Sequence, residues 1–253
     1  MIPMYALAET DASVSNLAEQ ADAAYSAEDY TKAINLYKES ISQEGTSSEI
    51  WYNLGNAYYR TDSLAKAILS YERALMLDPT NEDARQNLEF VNTKIIDAKA
   101  DNSSYSTIFI EKTMQLMNAN SWAIITLLLF ILLLGLIAGY IFSNSVLLRK
   151  IYFFGGLVCL GLTSICIAIA ISVASQMTNH NRAVIMTESA RLSTSPSTPI
   201  NSSQQAFLLH AGTVVTVLDS VATPLDPNTK MWYEVEVDNE HRAWIDKNDV
   251  EKI

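Results

Sequence analysis

Few residues in this chain are spaced for covalent chemistry. His180, His210 and His241 stand at the end of a long apolar run, at the start of an apolar strand-like run and beside a turn. None has a cysteine or carboxylate at metal-ligand spacing, so structural roles are expected for all three. Cys159 and Cys166 are seven residues apart in the apolar centre. On a helix that is about 10 Å of rise, beyond the reach of a disulfide, and they read as small packing residues. No nucleophile elbow, HExxH zinc helix, phosphate-binding loop or dinucleotide glycine pattern occurs. The expectation is therefore a protein with no catalytic group, no metal and no cofactor. What remains is recognition chemistry: amides, aromatic rings and isolated cations able to meet a peptide backbone or a carboxylate.

The elements that must carry those residues fall into three parts. Residues 1–100 hold 8 Lys/Arg against 16 Asp/Glu, and residues 183–253 hold 5 against 10. Neither acidic end has a basic patch, which excludes nucleic acid as a partner, because neutralising phosphates needs clustered cations. The centre is charge-poor. Residues 122–142 and 151–175 are uncharged runs long enough to cross about 30 Å of hydrocarbon. Trp122, Tyr140 and Tyr152 lie near the run ends, where amphipathic rings favour the interface. The spans are expected at 121–142 and 151–175, joined by a short loop at 143–150, so both acidic ends lie on one side. Arg149 and Lys150 favour a cytoplasmic loop. Ala6-Leu7-Ala8 before Glu9 resembles the end of a truncated signal peptide over residues 1–8, although MIPMYALA lacks a basic start. Both features place the ends outside the cytoplasm. No acid, Lys or Arg falls within either run, which argues against an ion or proton path. Residues 100–120 read as a linker followed by a juxtamembrane helix, lying on the surface or extending the first span.

A repeat of 34 residues runs through the N-terminal part. Trp51, Leu54, Gly55, Tyr58, Ala67, Tyr71, Ala74 and Pro79 occupy the signature positions, and Leu17, Ala21, Ala33, Tyr37 and Ser40 precede them by one period. Small residues at 21/55 and 33/67 allow close helix contact, and large ones at 17/51 and 37/71 fill the space between hairpins. The segment resembles tetratricopeptide repeats: two repeats and a capping helix over 13–99. That resemblance implies a concave groove lined by the first helix of each repeat. By position its candidate partner-binding residues are Tyr52, Asn53, Asn56, Tyr59 and Arg60, then Asn87 and Lys94 from the cap. Ordinary solvated helix surface is the alternative reading for each.

After the second span, runs near 182–185, 207–218, 232–237, 242–245 and 249–253 predict five short strands. The order resembles a bacterial SH3-like barrel over 182–253. Trp232, Tyr233 and Trp244 are its candidate surface, with core positions as the alternative for the tryptophans. Repeats, two-helix hairpin and SH3-like domain, in that order, resemble the BatE-type proteins of bacterial aerotolerance operons. The resemblance implies a multidomain, non-enzymatic scaffold in the inner membrane. Both soluble parts would be periplasmic, and the partners would be sibling proteins with von Willebrand A-type domains. An anchor whose SH3-like domain binds peptidoglycan is the alternative.

Overall fold

The computed structural model describes residues 8–97, 112, 116, 117, 119–178, 181–199, 201–222, 230–237 and 241–253. The expected signal-peptide end, most of the linker and juxtamembrane helix, His180 and the turn at 238–240 lie outside the described residues. The chain forms two compact units, Met1–Asp101 with His180–Ile253, and Asn102–Asn179.

The first unit opens with five helices: α1 (Ala8–Ser26), α2 (Tyr30–Glu44), α3 (Ser48–Arg60), α4 (Leu64–Leu77) and α5 (Glu82–Asn92). Side chains start three of them. Asp29, Ser47 and Asn81 each accept a hydrogen bond from the amide three residues on, at 3.1, 3.1 and 2.9 Å, satisfying donors that have no partner inside a helix. The two hairpin turns repeat each other with the 34-residue period. Asp29 donates to the Ala24 carbonyl and Ser63 to that of Tyr58, both at 2.9 Å. Glu28 and Asp62 adopt left-handed φ values of 61° and 57° between them. Ala21, Ala33, Tyr37 and Leu54 form one apolar cluster, and Ala67, Ile68, Tyr71, Leu88 and Val91 form part of another, as the small/large pattern expects.

The rest of the first unit is a sheet of seven antiparallel strands: β1 (Arg182–Ile185), β2 (Ser189–Ser193), β3 (Gln205–His210), β4 (Val214–Ala222), β5 (Met231–Glu236), β6 (Arg242–Asp246) and β7 (Val250–Lys252). Their order is β3-β2-β6-β5-β4-β1-β7. This corrects the expectation of five strands closed into a barrel: the sheet is open, with β3 and β7 at its edges. The apolar run at 207–218 is not one strand. It breaks at Ala211-Gly212, where Gly212 takes a φ of +94° that side chains rarely adopt. Its amide donates to the Ile185 carbonyl at 2.8 Å, so the chain turns back as β4 beside β1. The added strand β2 pairs with β3 and touches β6 through Ser193 opposite Trp244. Ile185, Leu192, Val215, Val235 and Ile245 make the core. A second cluster is shared: Val184 and Ile253 are buried together with Ile68, Leu88 and Val91 of the helices.

The second unit contains α6 (Ala119–Phe142) and α7 (Val146–Thr178). Both are long and apolar enough to cross a membrane. Leu128, Ile131, Phe142, Phe154 and Val158 point outward, an arrangement suited to a lipid environment rather than water. Arg149 and Lys150 lie within α7, one turn from its start, rather than in a loop; the Arg149 amide donates to Ser145 at 3.0 Å. The helices pack closely where Gly139 meets the ring of Tyr152 and where the Cys159 thiol donates to the Leu129 carbonyl at 3.4 Å.

Candidate functional site: the repeat groove

Helix α3 carries Tyr52, Asn53, Asn56, Tyr59 and Arg60, the cap α5 carries Asn87 with Lys94 just beyond its end, and an unforeseen polar ladder reaches from them to α1. Asn53 donates to Asp22 Oδ1 (3.3 Å), and Asn87, 34 residues later, donates to Asn56 Oδ1 (2.8 Å). The same acceptors take a phenol from the second helix of each repeat: Tyr37 to Asp22 at 2.5 Å, Tyr71 to Asn56 at 2.7 Å. One rung thus ties the first helix of a repeat to its own second helix and to the first helix of the next. Burial raises the pKa of both phenols, and the Asp22 carboxylate adds to the shift at Tyr37. Each hydroxyl therefore stays a donor throughout the physiological range. The ladder fixes the orientation of the Asn53, Asn56 and Asn87 amides.

The cations are held against rings. Lys94 donates to the Tyr59 hydroxyl at 2.6 Å, and its ammonium lies 4.6 Å from the Phe90 ring centre. Phe90 in turn meets Tyr59 edge-on with centroids 5.9 Å apart. The Arg60 guanidinium lies 4.7 Å over Tyr30, which packs edge-on against Tyr25. Such contacts restrain long side chains and leave the charge in water. Tyr52 tilts against Tyr71 at 6.1 Å. The structure thus brings together Asn56 with Asn87, and Tyr59 with Lys94, whereas Asn53 and Arg60 turn toward the first repeat. Asp22, Tyr30 and Phe90 are additions. Asp22 and Phe90 fall one period before and after Asn56, so the repeat itself carried the signal for them.

Among the described residues no three His, Cys, Asp or Glu side chains converge as a metal site would require. What the groove offers is oriented amides, exposed aromatic surface and two restrained cations. Residues 19–82 match the family described as tetratricopeptide repeat. Among solved structures, the tetratricopeptide domain of Arabidopsis OM64 is 22% identical with a TM-score of 0.32, covering 32% of this chain and 68% of that one. That of Sgt2 from Aspergillus fumigatus is 26% identical with a TM-score of 0.31, covering 32% and 54%. No curated protein sequence matches the chain. The helical part is thus a tetratricopeptide-repeat module, a fold that typically serves protein interaction rather than catalysis.

The aromatic residues singled out on the sheet do not form an open surface. Trp232 and Tyr233 are only 4% and 7% exposed. They are adjacent in β5, so their side chains leave opposite faces of the strand. Tyr233 joins the sheet core, and Trp232 stands opposite Asp246 of β6 and Val221 of β4. Trp244 is half-buried opposite Glu234. Of the histidines, His210 does have a carboxylate partner, Asp97, 113 residues distant in sequence, with Nδ1 3.1 Å from Oδ1. His241 packs edge-on against Phe207 at 5.3 Å.

Proposed function

We propose that this protein is a non-catalytic scaffold of the bacterial inner membrane that presents one soluble body, the repeat groove with its attached sheet, to protein partners. The observation that carries the reading is the interruption of one packed unit. The chain leaves that unit near residue 101, runs through two helices apolar enough to span a bilayer, and re-enters it near residue 180. A body folded from both flanks lies on one side of any membrane its middle crosses, so the crossing number is even. Two spans satisfy this. Placement of the body in the periplasm is supported by Arg149 and Lys150 in the first turn of α7, beside the short connection from α6.

The order of modules resembles BatE-type aerotolerance proteins, which makes siblings with von Willebrand A-type domains the partners to test. Tyr52, Asn53, Asn56, Tyr59, Arg60, Asn87 and Lys94 would form the docking surface, with Arg60 and Lys94 meeting a carboxylate on the partner. The peptidoglycan reading rests on the SH3-like resemblance alone, and the burial of Trp232 and Tyr233 adds nothing to it.

Two experiments test the proposal. Reporter fusions after Lys99 and Ile253 should both give periplasmic signals; signals from opposite sides would refute the two-span arrangement. Co-purification of the sibling proteins from membranes should fall at least about tenfold in an Arg60→Glu/Lys94→Glu variant, the loss expected when opposite charges become like charges. Undiminished recovery would remove the groove from the proposal.

A further inference from the structure

The free end of a repeat array is its weak point. A terminal helix must cover the last apolar face, and in α5 that helix has only 11 residues, below the length at which isolated helices hold in water. Here the sheet covers what α5 leaves open. Gly212, at the turn between β3 and β4, lies in the seam between α4 and the residues that follow α5: a methyl added there would stand 2.8 Å from Ile95 Cγ2 and 3.0 Å from Ile68 Cδ1. Val184, Val214, Met186 and Ile253 complete the apolar contact.

Polar contacts frame this seam at three places. Arg182 grips Glu72 with both terminal guanidinium nitrogens, Nη1 to Oε2 at 2.9 Å and Nη2 to Oε1 at 2.6 Å, and the Glu72 side chain is only 8% exposed. Arg73 stacks on Trp51 and donates to the Glu251 carboxylate at 3.1 Å and the Lys252 carbonyl at 2.6 Å. Asp97, just past α5, accepts from the His210 amide and from the Thr213 hydroxyl at 3.0 Å, with the His210 ring beside it. A carboxylate buried as deeply as Glu72 is costly without its partner, so the contact is built into the fold.

We infer that the sheet is the terminal cap of the repeat array and, by holding α4 and the residues that follow α5, sets the third wall of the groove. α5 supplies Asn87 to the ladder, and Lys94 just beyond it reaches Tyr59. Whatever displaces the sheet therefore loosens the groove. By reciprocity, a partner that binds across α3 and α5 tightens the sheet's hold. The sheet acts on the groove as a positioning element, without touching the partner.

Hydrogen exchange on the full chain in detergent or nanodiscs tests this. Arg182→Ala removes a clamp, and Gly212→Val drives a side chain into the seam; both changes lie in the sheet segment, none in the helices. Amides of α5 should exchange at least about tenfold faster in each, while those of α2, in the first repeat, change less, as expected of local opening at one end. Should Gly212→Val fail to fold, Arg182→Ala carries the test alone. Unchanged protection of α5 overturns the inference. So does equal acceleration of α2 and α5, which would make the helices one block with no special dependence at the capped end.

Discussion

Gly55→Ala sets two helix effects against each other. In an exposed helix interior, replacing Gly by Ala gains about 1 kcal/mol. At Gly55, however, the added methyl would sit 2.6 Å from Cε1 and 2.7 Å from Cδ1 of Tyr71. Those atoms belong to a ring that is 1% exposed and tethered through its hydroxyl to Asn56. It cannot swing away as a lysine tip would; it must retreat within a packed core and stretch its hydrogen bond. Overpacking of this kind costs about 1–3 kcal/mol. Repeat one already carries Ala21 at this position, in the same cluster as Tyr37, so the strain is bearable. Gain set against cost leaves a net destabilisation of up to about 2 kcal/mol, a fall in Tm of up to about 8 °C for a unit of this size. The assay is thermal unfolding of the full chain in detergent, run as a cycle with Tyr71→Leu. Without the ring, the clash is gone and Gly55→Ala should become neutral or stabilising by up to about 1 kcal/mol. A rise in Tm from Gly55→Ala in the wild-type background, or the same effect with and without the ring, would refute the argument.

Asn56→Ala removes the acceptor shared by Tyr71 and Asn87. It leaves a buried phenol unpaired and should cost about 1–3 kcal/mol by denaturant unfolding, more than Tyr71→Phe, which removes the donor and leaves Asn56 Oδ1 paired with Asn87. Asp97 gives a pH test. Burial opposes its ionisation, yet hydrogen bonds from the His210 amide and ring and from Thr213 prevail and hold its carboxyl below the usual carboxylate range. A lowered folded-state pKa contributes stability that is present above the unfolded value of about 3.9 and disappears as pH falls through the folded value. The wild type should therefore lose stability below about pH 4 along a limb that Asp97→Asn flattens; parallel Tm-against-pH curves would contradict this. Leu192→Ala, in the fully buried core of the sheet, should cost about 2–5 kcal/mol, with circular dichroism of the strands reporting the loss.

The parts legible in the sequence are those governed by short-range regularities. Close helix contact demands a small residue opposite a large one, so the 34-residue spacing of 21/55 and 37/71 exposed the repeats. Membrane-length apolar runs are legible because hydrocarbon tolerates little else. The sheet was harder. Val214 to Leu218 read as a continuation of Phe207 to Leu209 because both flanks of Gly212 are apolar; only the left-handed φ of that glycine separates β3 from β4. Trp232 and Tyr233 resembled a binding surface because adjacent strand residues face opposite sides, and one side is usually wet. Here both are buried.

The contact between helices and sheet was the least visible feature, yet one trace of it is in the repeat. Lys38 and Glu39 in the first repeat become Glu72 and Arg73 in the second, a reversal of charge at matched positions. In the first repeat both residues are exposed. In the second they face Arg182 and Glu251. A solvated helix face has no reason to prefer one order of charges, since exposed pairs contribute little. A face that receives another part of the chain does, because a buried carboxylate must meet a cation placed to match it. Divergence between repeats at positions that packing leaves free thus marks where an array has acquired a neighbour. By the same reasoning, restoring the first-repeat order in the second, Glu72→Lys with Arg73→Glu, should undock the sheet while sparing the helical signature.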